Sequence, residues 1–344
     1  MAKWQSKRPA EGFGIGQYLM LGAVVTAIFF LCICAGSVSL PWKETLCILT
    51  GRSAGELVDA IILHVRLPRV IATALVGASL SLCGAVMQGL LRNPLADGAT
   101  LGVSSGASLG AVLAITFGVQ IPGLPGGGIM LFAILFAFLS LLLILSLSYR
   151  LDYSLSTNTI ILVGVIFSMF CSSLINLLMT FAGEKLQAIT FWTMGSLSGS
   201  TYGGVLTLWV ALTVCGGILL CHARELNAFA VGEDNARHIG VDGRRVKLIV
   251  LIVVSVLIGV CVSIGGTIAF VGLVIPHITR MLTGPNHKKL LPATLFMGAG
   301  FLMLADLISR VLLSPLELPI GVVTSMVGSV MFVYIFYSSR KVGK

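Results

Sequence analysis

Across 344 residues, 57% of the side chains are hydrophobic and only 10% charged, with a mean hydropathy of +1.03, whereas soluble domains carry roughly 25% charged residues. Too few polar residues remain to coat a water-facing globule, which excludes an ordinary soluble enzyme. The formal charge of +9, from 22 Lys and Arg against 13 Asp and Glu, is no sign of a nucleic-acid binder here, because in so apolar a chain the placement of the positive residues matters more than their sum.

Charge-free runs cover 12–42, 70–91, 98–149, 153–183, 186–223, 248–279 and 318–339, each at or above the ~18 to 20 residues that one membrane crossing needs. The first run is some thirty residues long, has no small-residue cleavage site and is followed by many like it, so it reads as a retained span near 18–40 and not as a secretory signal. A second span follows near 67–91. The run from 98 to 149 would reach far beyond a ~30 Å hydrocarbon core as one helix. It breaks at Pro122-Gly-Leu-Pro-Gly-Gly-Gly128, giving spans near 101–118 and 129–149. Further spans lie near 157–181 and 203–221. The 32 residues from 248 to 279 carry Gly265-Gly266 in their middle and read as one helix out and a shorter one back, with irregular backbone tolerated at depth only against protein or a water-filled path. Spans near 290–312 and 317–337 complete about ten.

The pattern predicts a single all-α transmembrane domain over 1–344. With the N- and C-termini inside, sixteen positive residues fall on the cytoplasmic side and six (Lys43, Arg52, Arg66, Arg69, Lys185, Arg310) on the other, as the positive-inside rule requires. Ten spans are compatible with an inverted five-plus-five repeat, although no sequence self-similarity establishes one. Gly102, Gly106 and Gly110 repeat the small-xxx-small spacing of close helix packing. The eight cysteines are dispersed in apolar runs and read as small apolar side chains, neither disulfides nor a zinc site.

The segment of about 224–246 is the longest cytoplasmic loop. Leu226, Phe229 and Ala230 and, past Gly232, Ala236 and Ile239 recur at helical spacing, which predicts two short helices joined at Gly232 that offer an apolar face to a soluble partner. Arg92, Asn93 and Pro94 end the second span. Gln88, inside that span, must face a cavity or glue one helix to another. Arg66 and Arg69 open the second span on the outer side and Arg310 closes the ninth, with Asp306 at i,i+4. They either snorkel to headgroups or capture carboxylates of an acidic partner or anionic substrate. Pro276 and His277 sit at the inner end of the eighth span, where a lone His without a second ligand at metal spacing predicts no bound metal. Gly102-Val-Ser-Ser-Gly106 matches G-x-S-x-G but begins a membrane helix and lacks the strand-turn-helix that gives that motif meaning. No phosphate-binding G-x-x-x-x-G-K-[ST] occurs, so the chain carries no ATPase of its own.

Residues 60–335 resemble the FecCD-like permeases of ABC importers for iron-siderophores, haem and cobalamin. The carriers are Arg66-Leu-Pro-Arg69, Gln88 through Arg92-Asn-Pro-Leu-Ala96, Leu101-Gly102 with Gly106-Ala107, Trp192-Thr-Met-Gly195, Leu226-Asn227 through Gly232-Glu233 to Gly240-Val241, Phe270-Val-Gly-Leu273 with Pro276-His277 and Arg280, Ala305-Asp306 with Arg310, and Glu317-Leu-Pro319 with Gly321 and Thr324. Family members often have Pro soon after Asn-Pro-Leu-Ala, where this chain has Asp97-Gly98, and Gly-x-Pro-x-Phe near the end, where Ser329 follows Gly328.

The resemblance implies a multi-pass subunit of the bacterial cytoplasmic membrane. In it, Leu226, Asn227, Gly232, Glu233, Ala236, Gly240 and Val241 insert into a cleft of a cytoplasmic ATPase, while Arg66, Arg69 and Arg310 meet acidic residues of an extracytoplasmic substrate-binding protein. It further implies a second permease, identical or paralogous, and two ATPase subunits that supply ATP and Mg, with no cofactor on this chain. Ferric siderophore is the expected cargo, with haem and cobalamin as alternatives. An ion-coupled secondary transporter is the rival from another class, disfavoured because the spans hold essentially Asp306 as their one carboxylate.

Overall fold

The computed structural model describes residues 13–36, 41–51, 53, 55–98, 100–124, 126–153, 156–238 and 240–341. They form a helical bundle without a β-strand beyond two isolated bridges. In chain order the helices are α1 (Ile15–Cys34), α2 (Trp42–Leu49), α3 (Glu56–Leu90), α4 (Val103–Phe117), α5 (Gly127–Leu151), α6 (Thr157–Thr180), α7 (Leu186–Thr193), α8 (Tyr202–Cys221), α9 (Ala223–Val231), α10 (Glu233–His238), α11 (Gly243–Gly265), α12 (Val271–Thr283), α13 (His287–Val311) and α14 (Ile320–Lys341). Among the described residues, α1, α3, α5, α6, α8, α11 and α13 are long and apolar enough to cross a membrane; α4, α12 and the apolar stretch Ile320–Tyr334 of α14 are shorter. Each expected span overlaps one of these helices, seven of which have the length and apolarity of a full crossing. The expected break at Gly265-Gly266 is present, and residues 266–270 are non-helical.

Helix α3 is the axis of the bundle: it packs against α13, α12, α11 and α8 and is buried along most of its length. It begins at Glu56, eleven residues before the expected start at 67. A π-helical segment, Ile61–Arg66, explains the difference. Pro68 has no N–H for the carbonyl of His64 and its ring would strike that carbonyl in a regular α-helix. The wider turn, in which the Leu67 N–H reaches back five residues to the Ile62 carbonyl, makes room for the ring and keeps the helix continuous. The short helices α2 and α7 were not legible as spans.

Packing on α3 is backbone against backbone. A methyl group at Gly77 would run into the Gly298 carbonyl of α13, and one at Gly84 into the Gly272 carbonyl of α12. Ser81 Oγ donates to the Thr294 carbonyl at 2.7 Å. In lipid, helices associate without a hydrophobic driving force, so such close approach and interhelical hydrogen bonding hold the bundle. The Gly102/Gly106/Gly110 repeat serves the same end: Gly106 and Gly110 lie against Phe132, Phe136 and Ser140 of α5, and Gly102 against Gly164 of α6. All eight cysteines are free thiols.

Candidate functional site

Three regions carry the expected site residues. At one end, α9 and α10 form the predicted pair of short helices, meeting at Gly232, whose φ of +140° lies where side-chain-bearing residues are strained. Most of the expected outward apolar face is turned inward instead. Leu226, Phe229 and Ala236 are buried in the same hydrophobic cluster as Leu90, Leu91 and Val250, because a helix this short holds its place only by burying its apolar stripe in the bundle. What faces outward is mixed: Arg224, Asn235, Arg237 and His238 are exposed, together with the apolar Ala230 and Val231. Gly240 is exposed and Val241 partly buried, while α10 begins at Glu233; Ile239 lies outside the described residues. Asn227 faces α13, where its side chain meets Asn286 and His287. Neither of those partners was singled out from the sequence, since only tertiary structure brings positions sixty residues apart together.

Beside this end, α3 stops at Leu90, Arg92 takes a left-handed conformation (φ +49°) and Asn93 Oδ1 accepts the Leu95 N–H at 2.9 Å, with Pro94 between. These residues build the helix stop that the sequence implied. Gln88 turns out to be interhelical glue. Pro276 has no N–H, so the Gly272 carbonyl one turn earlier loses its helical partner, and a buried carbonyl without a partner is costly. Gln88 Nε2 donates to that carbonyl at 3.3 Å and to the Leu273 carbonyl at 3.1 Å, while Gln88 Oε1 accepts from Arg280 at 3.3 Å. Pro276 and Gln88 are thus two halves of one arrangement. His277 is partly buried on α12, and among the described residues no group of three His, Cys, Asp or Glu side chains is placed to hold a metal ion.

At the opposite end of the bundle the structure corrects the reading of the arginines. Docking to a separate protein needs exposed guanidiniums, yet Arg66, Arg69 and Arg310 are 5%, 6% and 3% exposed. Arg66 Nη1 donates to the carbonyls of Ile33 (2.6 Å) and Cys34 (2.9 Å), and Arg310 to those of Cys32 and Ala35 (3.1 Å each). These are the carbonyls that the end of α1 leaves unpaired, and cations are favoured there by the helix dipole. Arg69 Nε donates to Asp306 Oδ1 at 3.0 Å and Arg69 Nη1 to Glu317 Oε2 at 2.8 Å, with Arg310 Nε 3.0 Å from Asp306 Oδ2. The expected Asp306–Arg310 pair is therefore part of a larger internal network. Arg66 and Arg69 are buried because α3 continues through Arg66-Leu-Pro-Arg69 instead of beginning there.

Between the two ends lies a cavity of about 500 Å³, bordered by α3, α4, α6, α7, α11 and the 266–270 segment. Its polar lining includes Ser104, Ser105, Ser108, Asn176 and Thr190, with Asp97 as its carboxylate and no Lys, Arg or His among the described lining residues. The irregular segment is held by its neighbours: Ser196 N–H donates to the Gly265 carbonyl at 2.9 Å, and Thr267 Oγ1 donates to the Thr193 carbonyl. Phe270 sits at φ +68° with its ring against Gly328, strain that a bulky residue tolerates only where its surroundings over-determine it. Irregular backbone at this depth lines a cavity, the setting in which it is sustainable.

Residues 24–338 match the model described as FecCD: FecCD transport family. The chain belongs to that family. It is 44% identical over 83% of its length to an uncharacterized ABC transporter permease protein, YvrB, of Bacillus subtilis, covering 80% of that protein. It is 36% identical over 94% of its length to the molybdate import system permease MolB of Haemophilus influenzae, covering 96%. A solved ABC transporter assigned to the metal-chelate type, in an inward-facing conformation, superposes with a TM-score of 0.83 at 34% identity, covering 93% of this chain and 98% of that one. FecCD relatives at 33–36% identity are named for vitamin B12 import in Klebsiella pneumoniae, iron chelatin transport in Helicobacter pylori and hemin transport in Yersinia pestis. This FecCD protein is an ABC importer permease, a multi-pass protein of the cytoplasmic membrane and a transport subunit, not an enzyme.

Proposed function

We propose that the chain is one half of a permease pair that imports a ferric siderophore, driven by two separate ATPase subunits that bind ATP and Mg on the side carrying α9 and α10. The observation that carries this reading is the α9–Gly232–α10 segment: Leu226, Phe229 and Ala236 are anchored in the bundle while Arg224, Asn235, Arg237 and His238 face outward. That is the form of a lever presented to a partner. The count of positive residues supports a cytoplasmic position for it. An extracytoplasmic binding protein delivers cargo to the opposite end. The cavity supports the cargo class: among the described lining residues, hydroxyls, an amide and a carboxylate with no Lys, Arg or His suit the hydrogen-bonding periphery of a metal chelate better than a bare oxyanion, which calls for cationic or N–H donors.

ATP drives the cycle only through differential affinity: nucleotide must bind one arrangement of the lever better than the other. The test is uptake by cells expressing the complete transporter, offered ferric hydroxamate, haemin, cyanocobalamin and molybdate in parallel. Selective ATP-dependent uptake of the ferric chelate is expected. Uptake confined to cobalamin or molybdate would overturn the cargo assignment, and uptake that survives ATP depletion but collapses with an uncoupler would overturn the mechanism.

A further inference from the structure

Resting on the reading of α9 and α10 as the lever, we propose that Asn227, Asn286 and His287 form a latch that ties the lever to α13 and makes α13 the rod that carries its motion to the far end of the bundle. Asn227 Oδ1 accepts the His287 backbone N–H at 2.8 Å and lies 2.9 Å from His287 Nδ1, while Asn227 Nδ2 donates to Asn286 Oδ1 at 3.0 Å. Asn286 is also the N-cap of α13, accepting the Lys288 N–H at 3.0 Å. One side chain of the lever thus grips the first turn of α13 through two residues. Because Asn227 Oδ1 can only accept, the imidazole proton sits on Nδ1. The other ring nitrogen, Nε2, is buried and has no hydrogen-bond partner. It points at Gly89 of α3, where a side-chain carbon would collide with the ring. The imidazole is therefore wedged between α9 and α3, fixed by a hydrogen bond on one side and by lack of space on the other.

What the latch grips is a long helix, with Pro292 in its second turn, that has a consequential far end. Helix α13 runs 25 residues, about 37 Å at 1.5 Å per residue, and lies backbone to backbone on α3 at Gly298 over Gly77. It ends in Asp306 and Arg310, which hold Arg69 of α3 and the last carbonyls of α1. A displacement of the lever is delivered to the first turn of α13 and emerges, about 28 Å away along the helix, as a displacement of the charged cluster at the opposite end. Asn227, Asn286 and His287 are positioning residues: they touch no cargo and act through α13.

The latch predicts uncoupling without loss of assembly. The full transporter, with its ATPase subunits, is purified and reconstituted carrying Leu312→Cys as an exposed reporter just past α13, in a C34S/C47S/C221S background. The rate of labelling by a bulky maleimide is compared with and without ATP and vanadate. Asn227→Ala, which removes all three contacts, is expected to reduce the vanadate-dependent change at Leu312→Cys about tenfold, as befits several hydrogen bonds of modest strength each, while a second reporter at Val231→Cys still responds. Asn227→Asp, which keeps the accepting oxygen for His287, is expected to retain most of the response. The Asn227→Ala/His287→Ala double variant should be no worse than either single. A full response at Leu312→Cys in Asn227→Ala, or strictly additive losses in the double variant, overturns the latch. If the wild-type Val231→Cys reporter is itself blind to nucleotide, the lever reading fails instead, and with it the proposal that rests on it.

Discussion

Asp306 is the residue on which most of the buried charge converges. Its carboxylate lies within 3.0 Å of both Arg69 and Arg310 while being 1% exposed. Burying such a group is sustainable only while its partners stay in place, and removing one member of a buried pair leaves the other uncompensated at a cost of about 3–5 kcal/mol. Asp306→Ala is therefore expected to lower thermal stability sharply in detergent, and to loosen α1, whose end depends on Arg310; thermal unfolding and limited proteolysis after residue 36 check both. Gln88 presents the neutral counterpart. Gln88→Leu leaves the Gly272 carbonyl without a donor, with an expected loss of about 1–3 kcal/mol, whereas Pro276→Ala in the same background restores the helical N–H and should recover part of it. A Gln88→Leu protein as stable as wild type would show that Gly272 finds another donor. Both residues could be picked out from sequence as polar groups in apolar runs, but their partners could not: Gln88 and Gly272 are 184 positions apart, and nothing in local periodicity encodes such a pairing.

At the scale of elements, the contacts that decide the architecture are those where a side chain has no room. Gly84 of α3 faces Gly272 of α12 and Gly77 faces Gly298 of α13, each against a carbonyl. Gly84→Ala is expected to force the two helices apart and cost about 1–3 kcal/mol, as overpacking of a tight interior does, with a matching fall in detergent thermal stability; an unchanged melting transition would contradict the packing described. Gly16, which has open space around it, should accept Ala without effect and serves as the control. The helices themselves were legible because each charge-free run is long enough to be a span, and the turns because Pro122 to Gly128 and Gly265-Gly266 break them. The start of α3 was not. Arg66-Leu-Pro-Arg69 reads as the opening of the span in sequence, and only a π-helical turn lets the helix pass through Pro68. That single difference moved Arg66 and Arg69 from an exposed helix mouth into the interior.

For the whole molecule, the prediction is directional. If α9 and α10 lie on the cytoplasmic side, Val231→Cys is labelled by an impermeant maleimide only in inside-out vesicles, while Leu312→Cys is labelled only in right-side-out ones. Reversing charge on the exposed face, as in Arg224→Glu with Arg237→Glu, should weaken retention of the ATPase subunits during purification while leaving the thermal stability of the permease near wild type, since exposed charges contribute only ~0.2–1 kcal/mol to folding.

Composition and the spacing of charges were enough to make this chain an all-helical membrane protein, to locate its longer apolar helices and to mark the segment around Gly232 as a pair of short helices, because in lipid the backbone must satisfy itself within each span and hydrophobic length alone then dictates the elements. Which face of that segment is anchored, which carbonyls the buried arginines serve and which hydroxyls border the cavity were decided only in three dimensions. Those features are relations between residues far apart in the chain, set by how closely helices approach. Close approach depends on the shape of both partners at once, information that no single stretch of sequence contains.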